Sequence, residues 1–337
     1  MPIDPLRLVE LGLVDGFRRA AALAAHAASP LVGSGDGHGI DGLAVRALRA
    51  ALGELDVDGV VVVGEGEKDE APMLWVGERF GRGIRPGGAP GLDSHADAEL
   101  ATAPRLDLAV DPIDGTRLAA AGAPGAMVVL AVAPRGSLAA LGTAHYLEKH
   151  VTWLPDAPAG ASTGELVARI AAARGVPAHE VRVAVQERPR NARFVAEARA
   201  AGASLELFVH GDVERSLRAA GRDSGPDLVS GIGGAPEGVL TAAAVRALGG
   251  SMWARLAPQS RAERERLVEG GLDLDRFWRL TELCGAPAWV FLAALTGCAP
   301  GGAAMPGVRV AADGGAAVSI WHAGPGVDAT IDEWRLP

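Results

Sequence analysis

Asp107-Leu108-Ala109-Val110-Asp111-Pro112-Ile113-Asp114-Gly115-Thr116 is the stretch on which the rest of the chain is read. A short apolar strand stops at a proline and releases two carboxylates and a hydroxyl into one tight turn. Asp111 and Asp114 stand three residues apart, and a proline followed by a glycine lets the backbone fold so that both side chains point the same way. Hard divalent cations take oxygen ligands, usually one or two carboxylates with water and a substrate phosphate. Two Asp and a Thr on one turn therefore suit Mg²⁺ or Mn²⁺. The same letters also describe ordinary turn formers, in which each Asp bonds its own backbone. The decapeptide by itself leaves both readings open.

A second acidic stretch shifts the balance. Residues 59–63, Gly-Val-Val-Val-Val, read as a buried strand and run into Gly64-Glu65-Gly66-Glu67-Lys68-Asp69-Glu70. The carboxylates crowded there repel one another. A solvated acidic loop is one account, but glycines on both sides of Glu65 permit unusual backbone angles and close approach. Two acidic strand ends favour a shared cation, which would offset the repulsion.

Composition bounds the rest. A chain of 337 residues, 49% hydrophobic, suggests two domains, or one large layered one, with a substantial interior. The Pro155-Asp156-Ala157-Pro158-Ala159-Gly160 run marks a boundary, giving residues 1–157 and 158–337. A net charge of −9 argues against nucleic acid or an anionic membrane as partner. It also requires local cations wherever a phosphate is to bind. Cys284 and Cys298 are too few for a disulfide framework and read as reduced thiols. With no leader and no apolar run of spanning length, a cytoplasmic protein is expected.

In chain order, residues 5–28 carry apolar positions at helical spacing. A Gly-rich loop, 33–41, ends at Asp41 before a helix over 44–52, where an Asp ordinarily serves as N-cap. A short helix is expected over 71–80, then a long stretch without period over 81–105, of the kind that forms lids or surface loops. Strands are expected over 126–133 and after 143–149. A helix runs from the capping Ser162 to Gly175, and another spans 261–270. Residues 180–249 alternate strand and helix, which implies βαβ units with functional loops at the strand ends. Three loops qualify: Arg188-Pro189-Arg190, whose guanidinium forks suit phosphate; His210-Gly211-Asp212; and Gly231-Ile232-Gly233-Gly234-Ala235-Pro236-Glu237. The last offers free N–H groups at a helix start. It lacks the spacing and acidic partner strand of a dinucleotide fingerprint.

The blocks Gly64–Leu74, Asp111–Thr116 and Gly231–Gly238 resemble, in order and spacing, the signature elements of the class II fructose-1,6-bisphosphatases of the GlpX type. These belong to the lithium-sensitive, inositol-monophosphatase-like phosphatases, and the similarity runs over about residues 4–300. The resemblance implies an α/β fold: a layered α-β-α-β-α sandwich of the sugar phosphatase type, its sheet mixed in the first half and mostly parallel in the second. It implies metal-dependent hydrolysis of a sugar phosphate, with fructose 1,6-bisphosphate going to fructose 6-phosphate and phosphate. Asp41, Glu65, Asp111, Asp114 and Glu237 would hold two or three Mg²⁺ or Mn²⁺ ions. Asp69 or Glu65 would orient the attacking water, with Thr116 near the scissile phosphate. Asp114, Gly115, Thr116, Tyr146, Arg188, Arg190, His210, Asp212 and Gly234 would contact substrate. A homo-oligomer, dimer or tetramer, is implied as well. The chain departs from the family pattern at Gly37, where a lysine stands, at His210, where an acid stands, and in the longer 81–105 segment. These departures admit a phosphatase for another sugar or cyclitol phosphate, or a catalytically silent sugar-phosphate-binding protein.

Overall fold

The computed structural model describes residues 7–64, 74–83, 103–142, 144–222, 225–312 and 314–337. In chain order the elements are α1 (Arg7–Glu10), α2 (Leu13–Ala28), α3 (Gly37–Gly53), β1 (Asp58–Val63), β2 (Arg79–Phe80), β3 (Arg105–Asp114), α4 (Thr116–Ala120), β4 (Met127–Pro134), β5 (Tyr146–Thr152), α5 (Thr163–Arg174), β6 (Arg182–Gln186) and α6 (Ala192–Ala200). There follow β7 (Ser204–Phe208), α7 (Asp212–Ala220), β8 (Leu228–Gly234), α8 (Ala235–Leu248), β9 (Ser251–Leu256), α9 (Arg261–Glu269), β10 (Trp278–Arg279), α10 (Leu280–Leu283), β11 (Trp289–Ala294), β12 (Arg309–Val310), β13 (Ala316–Gly324) and β14 (Val327–Leu336). They form two compact units. One comprises Met1–Leu138, Ala286–Cys298 and Met305–Pro337; the other comprises Ala139–Gly285 and Ala299–Ala304. The chain thus first leaves one unit for the other at Leu138, ahead of the Pro155–Gly160 run, and later returns.

The first unit is built on an eight-stranded sheet in the order β12-β13-β11-β4-β3-β1-β2, with β14 on β13. It is mixed, as expected: β1 and β3 are parallel and the other pairings antiparallel. Helix α2 carries Leu13, Phe17, Ala20, Ala21, Ala24, Ala25 and Ala28 on its buried face. Alanine adds little bulk, so the helix lies close to its neighbours, and Phe17 stacks on Phe291 at 5.9 Å. The helix expected over 5–28 is interrupted at Gly12, whose φ of 66° is left-handed. Leu106, Leu108 and Val110 of β3 join Phe17, Leu48, Val128, Leu130 and Phe291 in one core. Successive strand residues alternate between faces, so Asp107, Ala109 and Asp111 point away from those three.

Three sequence expectations are corrected here. Strand β3 does not stop at Pro112. It continues to Asp114, with a bulge where pairing jumps from Asp111↔Val129 to Asp114↔Met127, and Pro112 sits inside that irregularity, where a missing N–H costs no ladder bond. Helix α3 starts seven residues early, at Gly37 rather than 44. Its cap is Asp36, which accepts from Gly39 N–H at 2.8 Å. The glycines of that segment are poor helix formers, but burial of Ile40 against the core outweighs their propensity. No helix occupies 74–80; Gly77 turns the chain with φ 91°, and β2 pairs with β1. Gly59 leaves room for the Phe80 ring, which a Cβ there would strike.

The second unit holds a six-stranded sheet in the order β10-β9-β5-β8-β6-β7. Strands β6, β7 and β8 are mutually parallel, as the strand–helix alternation implies. Strand β5 lies between β8 and β9 and is antiparallel to both, and β10 is antiparallel to β9. This sheet is therefore mixed rather than mostly parallel. Local alternation fixes βαβ direction but is silent about a strand arriving from elsewhere in the chain. Helix α5 follows its sequence signals. Ser162 and Glu165 form a reciprocal capping box, and Gly175 closes the helix at φ 66°.

Replacing that cap tests the local account. Ser162→Ala leaves helix N–H groups without an acceptor and should lower stability by about 1 kcal/mol in urea titrations; an unchanged midpoint would contradict the capping role.

Candidate functional site

Within the first unit, Asp111, Asp114, Gly115 and Thr116 occupy the β3–α4 turn. Asp111 and Asp114 are 5% and 9% exposed, so both carboxylates are withdrawn from bulk water. Asp111 Oδ1 accepts from the Ile113 N–H at 3.0 Å, the Asx geometry the sequence allowed. Gly115 supplies a left-handed residue, φ 85°, that turns the chain into α4. Thr116 then places its Oγ1 3.0 Å from the Ile113 carbonyl and 3.1 Å from Asp41 Oδ1. Asp41 is not the helix cap. It lies one turn inside α3, where its side chain meets the Asp-Pro-Ile-Asp-Gly-Thr turn across 75 residues of sequence. Burial pushes the Asp41 carboxyl up, opposed by the Thr116 hydroxyl and the His38 charge. Gly37 lies over the same hydroxyl residue: a Cβ there would sit 3.1 Å from the Thr116 methyl.

All donors in this group are hard oxygens, the kind that Mg²⁺ and Mn²⁺ take, and the burial of Asp111 and Asp114 favours a cation nearby. In kind, then, these residues fit such an ion. Among the described residues no three acidic, histidine or cysteine side chains form a complete metal cluster. Glu65 and Asp69, named above for metal and water, lie outside the described residues; so does most of 81–105.

Within the second unit, β5, β8 and the start of α8 assemble a different group. Lys149, 2% exposed, sits on β5 with its Nζ 2.8 Å from Asp212 Oδ2. The glycines of β8 each make room for a particular side chain. A Cβ on Gly233 would overlap the Asp212 carboxylate, and one on Gly234 would overlap the Glu237 carboxylate. Gly231 faces the Asn191 amide, which accepts from Ile232 N–H at 2.7 Å and donates to the Gln186 carbonyl at 3.0 Å. The absent Cβ atoms thus let two carboxylates and an amide lie on the strand backbone. Burial raises the Glu237 pKa and Asp212 raises it further. The Glu237 backbone N–H, Lys149 and Arg190 act in the other direction.

Arg190 donates to the Ile232 carbonyl at 2.9 Å and to Gln186 Oε1 at 3.3 Å. Its guanidinium lies 4.9 Å from the centre of the Tyr146 ring, a cation–π arrangement that keeps the plane oriented. Tyr146 stands opposite Gly234 in the β5–β8 register. The structure thus gathers Tyr146, Arg190, Asp212, Gly234 and Glu237 around the β5–β8 end. Arg188, by contrast, donates to the neighbouring Glu187 carbonyl at 3.0 Å, and His210 is half-buried just past β7.

Sequence reasoning missed Lys149 and Asn191. The available signal was Glu148-Lys149-His150, three ionisable residues inside a strand, which alternation assigns to opposite faces. On the face opposite Lys149, His150 Nδ1 lies 2.9 Å from Ser230 Oγ, and the imidazole stacks on Trp253 at 4.3 Å. Its Nε2 is 3.6 Å from Glu148 Oε1, and Arg255 pairs with Glu148 at 2.7 Å beside Arg193. Burial alone would raise the Glu148 pKa; His150, Arg255 and Arg193 outweigh it and hold the carboxyl at about 2.

A model of the family described as bacterial fructose-1,6-bisphosphatase, glpX-encoded, matches residues 12–326. Fructose-1,6-bisphosphatase 2 class 2 of Escherichia coli strain K12 is 37% identical over 314 residues, covering 88% of this chain and 90% of the relative. Fructose-1,6-bisphosphatase 1 class 2 of the same strain is 38% identical over 247 residues, 71% of this chain and 67% of the relative. Fructose-1,6-bisphosphatase class 2 of E. coli O6:H1 matches to the same extent.

The Glu148 network has a pH signature. Because its folded pKa is depressed, its contribution is present above the ordinary glutamate range and is lost as pH falls towards about 2. The stability difference between wild type and Glu148→Gln should therefore be largest near neutrality and shrink through the acid range in pH-dependent denaturation; a pH-independent difference would contradict the assignment.

Proposed function

The chain belongs to the glpX-encoded bacterial fructose-1,6-bisphosphatase family, and on that premise we propose that it hydrolyses fructose 1,6-bisphosphate to fructose 6-phosphate and phosphate. The observation that carries the reading is the Asp41–Thr116 bond, which brings a distant carboxylate onto the turn bearing Asp111 and Asp114. Asp41, Glu65, Asp111 and Asp114 would hold Mg²⁺ or Mn²⁺, with Glu237 a further candidate ligand, for two or three ions in all. When bound, such ions polarise the phosphoryl oxygens, acidify a bound water and neutralise charge that accumulates during transfer.

The residues of the chain do the rest. Glu65 or Asp69 accepts the proton of the attacking water as its oxygen bonds phosphorus; the bond to the sugar oxygen breaks, and that oxygen takes up a proton from solvent while the carboxyl gives its own back to solvent. The Thr116 hydroxyl, held between Asp41 and the Ile113 carbonyl, lies near the scissile phosphate with Asp114 and Gly115. Arg190 uses part of its donor fork on Ile232 and Gln186 and has N–H groups left for the distal phosphate. Tyr146, Arg188, His210, Asp212 and Gly234 complete the sugar contacts. Lys149 matters here because it compensates Asp212 and so limits repulsion of an anionic substrate. A cytoplasmic homo-oligomer, dimer or tetramer, belongs to the same proposal; among the described residues no helix is long and apolar enough to cross a membrane.

A second reading keeps the chemistry and changes the substrate to another sugar or cyclitol phosphate. It is supported by Gly37, which places no side chain beside Thr116, and by His210 at the edge of the sugar contacts.

A panel of sugar and cyclitol phosphates, assayed for phosphate release with Mg²⁺ or Mn²⁺, separates the two: fructose 1,6-bisphosphate giving the highest kcat/KM supports the first, and a cyclitol phosphate doing so replaces it. Asp114→Asn should lower kcat by orders of magnitude. Arg190→Ala should instead raise KM by about tenfold, one charge-assisted hydrogen bond's worth, with kcat little changed. Similar small effects from both variants would sink the division of roles.

A further inference from the structure

The second sheet has another polar end. Because β5 and β8 are antiparallel, Tyr146 and Gly234 share one end, whereas Thr152 and Leu228 share the other. The stretch of β5 between them spans about 20 Å. At the far end, Asp227 is a buried hub. Its carboxylate accepts from Arg174 at 2.7 Å, from the Arg182 backbone N–H at 2.9 Å and from Trp153 Nε1 at 3.2 Å. Its carbonyl accepts from Thr152 Oγ1 at 2.8 Å. The Arg182 guanidinium in turn donates to the Gly225 carbonyl. These bonds fix the walls of a cavity of about 220 Å³, lined by Trp153, Arg174, Arg182, Arg222 and Asp227.

A second cavity of about 420 Å³ adjoins it, lined by Leu154, Pro155, Ala220 and Leu248 and sharing Trp153 and Arg222 with the first. The Arg222 guanidinium lies 4.8 Å from the centre of the Trp153 ring, which orients its plane. Among the described residues three arginines and one aspartate line the first cavity, on a chain whose net charge is −9. The aspartate is already engaged by Arg174. Among the described residues neither Arg182 nor Arg222 has a carboxylate partner.

We propose that this paired cavity is a binding site for a small phosphate-bearing metabolite, separate from the residues assigned to hydrolysis. The phosphate sits between the Arg182 and Arg222 forks, whose planar geometry suits it. The apolar or ring-bearing body of the metabolite enters the second cavity beside Trp153, where both polar and apolar requirements of a small-molecule site are met.

The test titrates the full-length protein, with Mn²⁺ present, with phenylphosphonate, whose C–P bond is not a phosphate ester, and separately with inorganic phosphate. Heat of binding and tryptophan fluorescence are the readouts. Wild type should bind phenylphosphonate more tightly than phosphate, with a fluorescence change that Trp153→Phe removes. Arg222→Ala should weaken binding by about tenfold and Arg222→Glu by more, both with unchanged kcat and KM. Arg190→Ala should retain this binding event. Titrations unaffected by either Arg222 variant, or abolished by Arg190→Ala, would overturn the site. Equal affinity for phosphate and phenylphosphonate would overturn the role given to the second cavity. Arg222 is exposed, and circular dichroism of both variants checks that loss of binding is not loss of fold.

Discussion

A carboxylate taken out of water must be answered by a donor or a cation, because an isolated buried charge costs far more than a domain can spare. That constraint organises both units. Asp107, 1% exposed, is answered by the Ser137 and Leu138 N–H groups at 2.9 and 3.2 Å with Arg135 alongside, and so pins the turn after β4. Glu148 is answered by Arg193 and Arg255, Asp212 by Lys149, and Asp227 by Arg174 and Trp153. Each pair ties a strand to the element beside it. At the β3–α4 turn Asp111 accepts from the Ile113 N–H and Asp41 meets the Thr116 hydroxyl, so there too a withdrawn carboxylate is answered by a donor.

The glycines of β8 are the complementary half of this arrangement. In most strands a glycine only weakens packing. Here the missing Cβ atoms of Gly233 and Gly234 leave the space that the Asp212 and Glu237 carboxylates occupy, and Gly231 lets the Asn191 amide lie close. The strand therefore gives up side-chain packing in exchange for carboxylates held against its own backbone, and Lys149 limits the repulsion that would follow. The Gly-rich motif is thus a mould for acids.

How far the sequence could be read follows from the range of each interaction. Asp111-Pro112-Ile113-Asp114-Gly115-Thr116 is legible because its turn is made by neighbours along the chain, and the Ser162–Gly175 helix because its caps are local. The start of α3 was not, since burial of Ile40 overrides the glycines around it. The direction of β5 was not either: antiparallel placement between β8 and β9 joins segments about 80 and 100 residues away, and no local pattern encodes it. Lys149 and Asn191 escaped for the same reason, as each takes its meaning from a partner on another element.

Strand β5 has a last consequence. Tyr146, Glu148 and His150 leave one side of the sheet and Lys149 leaves the other, so the aromatic under Arg190, the buried ion network and the carboxylate clamp are dealt out from adjacent letters of a single word. Inserting one residue upstream within that strand would exchange the two sides at once, setting a lysine among Phe194 and Trp253 and a glutamate against Asp212. A change of chain length is therefore tolerable only in the loops that bracket the strand, whereas within it a substitution alters one side at a time.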